Sequence, residues 1–189
     1  MRTVAAALAF LLLVAPAYAQ QPSQPEAATG RAAKALVHAK RQMVAAANPL
    51  AAEAGRRILR QGGSAVDAAI ATQMVLNLVE PQSSGIGGGA FLVIWDAKKK
   101  TVSTVDARET APAAAKPDRF LGPDGKPIRF YDAVVSGRSV GVPGVLRGLE
   151  LAHKAHGRLP WASLFQPAIE LAEKGFPISP RLNGLLKTE

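Results

Sequence analysis

The 189-residue chain contains no cysteine. That absence excludes disulfides, thiolate metal sites and a cysteine nucleophile, and it is compatible with any compartment. Aromatic residues are scarce, at 5%, so a core has to be built from small aliphatics. Acidic residues are also few: 14 Asp and Glu stand against 23 Lys and Arg, for a formal net charge of +9. Such a balance raises the question of nucleic-acid binding. The basic residues are scattered, however, with Lys98-Lys99-Lys100 the only tight run, and no aromatic residues interleave with them to stack on bases. The charge reads as a basic soluble surface, and no nucleic-acid partner is expected.

Long apolar runs are missing too. The longest extends from Val4 to Ala15, shorter than the roughly 20 residues a spanning helix needs. Arg2 precedes it and Ala17-Tyr18-Ala19 follows. A charged start, a short apolar stretch and a small-x-small site describe a secretory signal peptide. Residues 1–19 are therefore expected to be removed after Ala19, giving a periplasmic or secreted protein with no stable membrane span. Residues 20–30, rich in Gln, Pro, Ser and Ala, read as a flexible leader. Residues 31–189 read as one domain.

What is present is a helix-rich pattern with one β-hairpin. A strand is expected near Gln42 to Ala46. Asn48-Pro49 starts a helix, Asn capping the free amides and Pro preset for the first turn. Gly62-Gly63 ends it. Ser64-Ala65-Val66-Asp67 is a capping pattern that opens a second helix, apolar on most of its circumference and hence expected to be buried, which Pro81 stops. Phe91-Leu92-Val93-Ile94-Trp95 is a continuous β-prone run, as expected of a strand buried on both faces. Thr101 to Asp106 alternates polar and apolar residues as a partner strand would. Residues 113–138 read as a long loop with a short helix near Pro117 to Phe120. Further helices are expected after Val142-Pro143-Gly144, from Pro160 with a break or restart at Pro167, and from Ser179 to Lys187. The chain reads as cut short at its end.

Between the second helix and the hairpin lies Gly85-Ile86-Gly87-Gly88-Gly89-Ala90. It satisfies the dinucleotide pattern G-x-G-x-x-A, but that motif needs a strand before it and a helix after it. Here the order is helix, loop, strand, and no Gly-Lys-Ser/Thr follows, so neither a dinucleotide nor a P-loop site is expected. The loop reads as a structural crossing and no glycine in it as a binding residue. A Gly88→Val change is expected to harm folding before ligand affinity.

Arg108 stands at the end of the second predicted strand, beside Asp106 and Glu109. A guanidinium there either binds a substrate carboxylate bidentately or forms a structural ion pair with a neighbouring carboxylate; spacing alone favours the ion pair. His153 and His156 are three apart on one helix, the spacing of a metal pair, but no third ligand is evident and a solvated helix face is the simpler reading. Gly-x-Ser-x-Gly is absent, so Ser83 and Ser84 do not form a nucleophile elbow.

Several of these segments together resemble the gamma-glutamyltransferase (gamma-glutamyl transpeptidase, glutathione hydrolase) family. They are Gly62-Gly63-Ser64-Ala65-Val66-Asp67-Ala68-Ala69, Gly85-Ile86-Gly87-Gly88-Gly89-Ala90-Phe91, Asp106-Ala107-Arg108-Glu109-Thr110-Ala111-Pro112, Gly141-Val142-Pro143-Gly144, and Gln166-Pro167-Ala168 with Gly175-Phe176. The order matches, from about Met43 onward. The resemblance implies a layered α/β fold, the αββα sandwich of N-terminal nucleophile hydrolases, incomplete in this chain and corresponding to the N-terminal part of the large subunit. It implies a precursor that cleaves itself, whose small subunit then begins with a nucleophilic threonine. That threonine attacks the γ-glutamyl amide of glutathione or a related compound, its own α-amine serving as base. Water, an amino acid or a dipeptide accepts the γ-glutamyl group. No metal or organic cofactor is implied. One contact carries over: Arg108 matches the arginine that holds the substrate's α-carboxylate, with Glu109 as a supporting group. No residue of this chain matches the nucleophile, so these 189 residues alone are expected to be inactive. The rival expectation is a non-catalytic fragment or carboxylate-binding module that retains Arg108.

Overall fold

A computed structural model describes residues 35–187. The expected signal peptide and leader lie outside the described residues. The elements run α1 (Pro49–Arg60), α2 (Ala65–Val79), β1 (Ala90–Asp96), β2 (Thr101–Ala107), α3 (Phe130–Val134), α4 (Val145–His156), α5 (Gln166–Lys174) and α6 (Pro180–Leu186), with 3-10 turns at Gly137–Ser139 and Trp161–Phe165.

Local chemistry accounts for the first two helices. The Asn48 side chain accepts from the Leu50 amide at 3.0 Å, and Pro49 occupies the first helical position. Gly62, at φ +90°, supplies the left-handed residue after the helix end, a conformation costly for any side chain. Ser64 and Asp67 then form a reciprocal capping box: the Asp67 amide donates to Ser64 Oγ at 3.0 Å, and the Ser64 amide donates to Asp67 Oδ2 at 2.8 Å. As its composition implies, α2 is buried along its length, through Val66, Ala68, Ile70, Ala71, Met74, Val75 and Val79. The Asn48 amide also donates to the buried Glu80 carboxylate at 2.9 Å, tying the start of α1 to the end of α2.

Asp67 does more than cap. It is fully buried, and its Oδ2 also accepts from the amides of Arg158 at 2.9 Å and Leu159 at 3.2 Å. The loop after α4 is thereby fastened to the start of α2. An Asp67→Ala change keeps the Ser64 cap but removes the reciprocal half of the box, and it leaves the amides of Ser64, Arg158 and Leu159 without this acceptor. We expect a loss of about 3 kcal/mol in unfolding free energy, read by urea titration.

The strands form an antiparallel hairpin in register from Ala90 opposite Ala107 to Asp96 opposite Thr101. Ala90, Leu92, Ile94 and Val105 pack onto a core of Ile58, Val66, Ile70 and Met74 from the first two helices, Val145, Leu149 and Ala152 from α4, and Leu164. A second cluster joins Ala51 and Ala54 to Val75 and Val79, flanked by Leu171. Arg57 spans from α1 to Glu170 of α5 with two bonds, at 2.8 and 2.9 Å. The Glu170 carboxyl is held below its ordinary pKa chiefly by that hydrogen bonding. The contribution is therefore present near neutral pH and fades as acid titrates the carboxylate.

Three expectations fail. Phe91, Val93 and Trp95 are exposed, at 69%, 75% and 58%, so β1 is buried on one face only. A two-stranded sheet has helices beneath it and nothing above it among the described residues. Residues 42–46 form no strand, because no strand lies beside them to complete a ladder. Residues 117–120 are successive turns, not a helix, and the short helix of this region is α3, inside the stretch read as loop. Among the described residues no helix is long and apolar enough to cross a membrane.

Candidate functional site

The site grows from the end of β2. Ala107 is buried against Gly148 of α4, where a larger residue would strike its methyl. The next residue, Arg108, turns outward. Its amide donates to Asp106 Oδ1 at 3.0 Å, which ends the strand locally. The Arg108 side chain is 57% exposed, and its Nη2 lies 3.1 Å from Glu109 Oε2. Arg108 thus has the ion-pair partner that spacing favours, and most of its donors have no protein acceptor among the described residues.

Two glycine segments clamp the backbone that carries this arginine. On one side, the Gly88 carbonyl accepts from the amides of Gly144 at 3.1 Å and Val145 at 3.2 Å, which joins the glycine loop to the start of α4. A Cβ on Gly89 would lie 2.5 Å from Glu109 Oε2 and 2.8 Å from Arg108 Cα. On the other side, a Cβ on Gly144 would strike the Ala107 carbonyl oxygen and lie 2.5 Å from that of Arg108. Gly141 lies against Glu109 Cβ, and Thr110 and Val142 exchange two backbone bonds, at 3.3 and 2.9 Å. The glycines bring three chain segments to within backbone contact. The loop is thus a structural crossing, but the tightest position is Gly89. At Gly88 a Cβ would lie 3.3 Å from Glu109 Oε1 and 3.8 Å from the Gly85 carbonyl oxygen, so a substitution at Gly88 is milder than one at Gly89.

Glu109 lies under the loop with Oε2 buried and without a hydrogen-bond partner of good geometry. Among the described residues its charge is met by Arg108, which restrains the guanidinium without saturating it.

The histidines fall elsewhere. His153 is not on a solvated face: its ring packs edge-on against Trp161, at a centroid distance of 5.3 Å, and Nε2 lies 2.9 Å from the Leu159 carbonyl oxygen and 3.6 Å from Asp67 Oδ1. Among the described residues no three His, Asp or Glu side chains are grouped as metal ligands. Ser84 joins Gln73 and Asn77 in a polar cluster at the entrance to the glycine loop. The inward role of Asp67 and the clamp by Gly141 and Gly144 were not read from the sequence. The signal that pointed to the second was Val142-Pro143-Gly144 before a helix.

The helix-backed hairpin overlays part of solved gamma-glutamyltranspeptidases, and that match gives the class, the α/β sandwich of N-terminal nucleophile hydrolases. The structure overlays Helicobacter pylori gamma-glutamyltranspeptidase with a TM-score of 0.75 and 36% identity, covering 82% of this chain and 44% of that one. It overlays the Pseudomonas nitroreducens gamma-glutamyltranspeptidase complexed with L-DON with a TM-score of 0.74 and 34% identity, over 80% of this chain and 44% of that one. The family model described as gamma-glutamyltranspeptidase matches residues 51–189. The chain belongs to the gamma-glutamyltranspeptidase family. It is 52% identical over 136 residues to the glutathione hydrolase proenzyme of Bacillus subtilis, an alignment covering 72% of this chain and 23% of that protein. The chain thus spans about a quarter of the curated relatives it matches.

Proposed function

We propose that this chain is the N-terminal part of the large subunit of a secreted or periplasmic γ-glutamyltransferase, and that it supplies the arginine that holds the donor substrate. The observation that carries the reading is Arg108: a guanidinium raised at the end of β2, fixed at its backbone by two glycine segments and incompletely paired at its side chain. Such a group is built to receive a planar carboxylate through two parallel hydrogen bonds. With the α-carboxylate of a γ-glutamyl compound held there, the γ-amide projects toward the rest of the sandwich. The N-terminal threonine of a small subunit cut from the same precursor attacks that carbonyl. Its α-amine takes the hydroxyl proton and returns it to the leaving amine. Water, an amino acid or a dipeptide then resolves the γ-glutamyl ester. The chemistry draws on no metal or organic cofactor.

The same reading accounts for the bare face of the hairpin. Phe91, Val93, Trp95 and Val102 form an exposed apolar stripe, a feature that monomeric surfaces rarely carry. In a sandwich that face is where the second sheet lies. The test is release of the anilide from a γ-glutamyl anilide. The complete gene product is expected to release it steadily and the 189-residue chain not at all. Inactivity of the complete product would overturn the reading.

A further inference from the structure

A second cationic feature lies in the loop between β2 and α4. Residues between Pro112 and Leu121, together with Arg138, line an open cavity of about 470 Å³, in which Lys116, Arg119 and Arg138 are set against a single carboxylate, Asp118. Among the described residues six arginines, Arg56, Arg57, Arg108, Arg129, Arg147 and Arg181, each have a carboxylate within ion-pair distance, whereas the surface residues Arg41, Arg60 and Arg158 do not. None of the three cavity cations does. Instead, Arg119 Nη2 donates to the carbonyls of Gly137 at 3.1 Å and Val140 at 3.4 Å, and Arg138 Nη1 donates to the Arg119 carbonyl at 3.3 Å. Backbone oxygens therefore fix both guanidiniums reciprocally without neutralising either.

We infer that this cavity binds a small di- or tricarboxylate through Lys116, Arg119 and Arg138. The two arginines are held before a ligand arrives, so less side-chain entropy is lost on binding. Each guanidinium has five N–H donors and, among the described residues, uses one nitrogen, which leaves edges suited to planar carboxylates. The Lys116 side chain makes no hydrogen bond or ion pair among the described residues and adds an exposed charge at the rim. The cavity is larger than a lone ion requires and falls in the range of small-molecule sites. The inference does not depend on Arg108 or on the γ-glutamyl reading.

Calorimetry on the complete protein tests it, with citrate as titrant and inorganic phosphate and acetate as comparisons. Citrate is expected to bind in the millimolar range or tighter, and more tightly than either comparison ion. Lys116→Gln, which removes no protein contact, should weaken citrate about fivefold with an unchanged melting temperature. Arg119→Gln with Arg138→Gln should weaken it at least thirtyfold, and Arg108→Ala should leave it unchanged. Absence of citrate binding, tighter binding of phosphate, or wild-type affinity in Lys116→Gln would overturn the inference. Loss of binding only in Arg108→Ala would also overturn it, and would leave the reading of Arg108 standing. If the double variant does not fold, Lys116→Gln decides.

Discussion

Replacing Arg108 with alanine in the complete protein is expected to lower kcat/KM for a γ-glutamyl anilide about a thousandfold, at a cost of only about 1–2 kcal/mol in stability. The two halves of that expectation have separate causes. Arg108 is more than half exposed, but its ionic partner among the described residues, the adjacent Glu109, is 30% exposed with Oε2 buried; removing the guanidinium leaves that oxygen unpaired, which costs about 1–2 kcal/mol. A carboxylate held by two charge-assisted bonds gains far more, about 2 kcal/mol for each bond, or about 4 kcal/mol in all. That sum corresponds to roughly three powers of ten in affinity or rate. Lysine keeps the charge but not the fork, so Arg108→Lys should recover only part of the loss. An Arg108→Ala enzyme with wild-type kcat/KM would show that the arginine serves only the ion pair with Glu109.

The largest structural effect is expected at Gly144. An alanine there meets the carbonyl oxygens of Ala107 and Arg108, which are backbone atoms and cannot rotate aside as a side chain would. Relief requires α4 to move away from β2, opening the core around Val145 and Leu149. We expect a destabilisation of about 3 kcal/mol, or a fall of roughly 6–12 °C in melting temperature for a chain of this size. Gly89→Ala should act in the same direction. Here part of the obstruction is the Glu109 carboxylate, which has some freedom, so the loss should be smaller and accompanied by weaker donor binding as Glu109 and Arg108 shift. Gly87 provides the control: no atom lies within 4 Å of an added Cβ, and Gly87→Ala should be close to neutral. Equal stability of all three variants in differential scanning calorimetry would remove the clamp from the account.

Much of this was legible in the chain because it is local. Asn48-Pro49, Gly62-Gly63 and Ser64 with Asp67 announce their helix ends through side chains a few residues apart, and the structure has the caps those residues dictate. The hairpin followed from two β-prone runs separated by a short turn. Arg108 and its two alternatives were visible from position alone. What stayed hidden depends on contacts between distant segments. The exposure of Phe91, Val93 and Trp95 depends on what lies above the sheet, which an apolar run does not encode. That Asp67 receives amides from residues 158 and 159 follows from where α4 ends, not from the capping pattern. His153 was read as solvated because helical spacing says nothing of Trp161 and the Leu159 carbonyl beside it. The reciprocal pinning of Arg119 and Arg138 needed the loop's path, and α3 was missed because turn residues on both sides masked a five-residue helix.

The most direct measurement of the central claim is a cycle between Arg108 and the substrate group it is said to hold. The two substrates are a γ-glutamyl anilide and 4-aminobutyryl anilide, which lacks only the α-carboxylate; the two enzymes are the complete wild-type protein and Arg108→Ala. If Arg108 holds the α-carboxylate, the wild-type enzyme loses about a thousandfold in kcat/KM when the carboxylate is removed, while Arg108→Ala, already impaired, treats the two substrates nearly alike. The same penalty for the missing carboxylate in both enzymes would contradict the account.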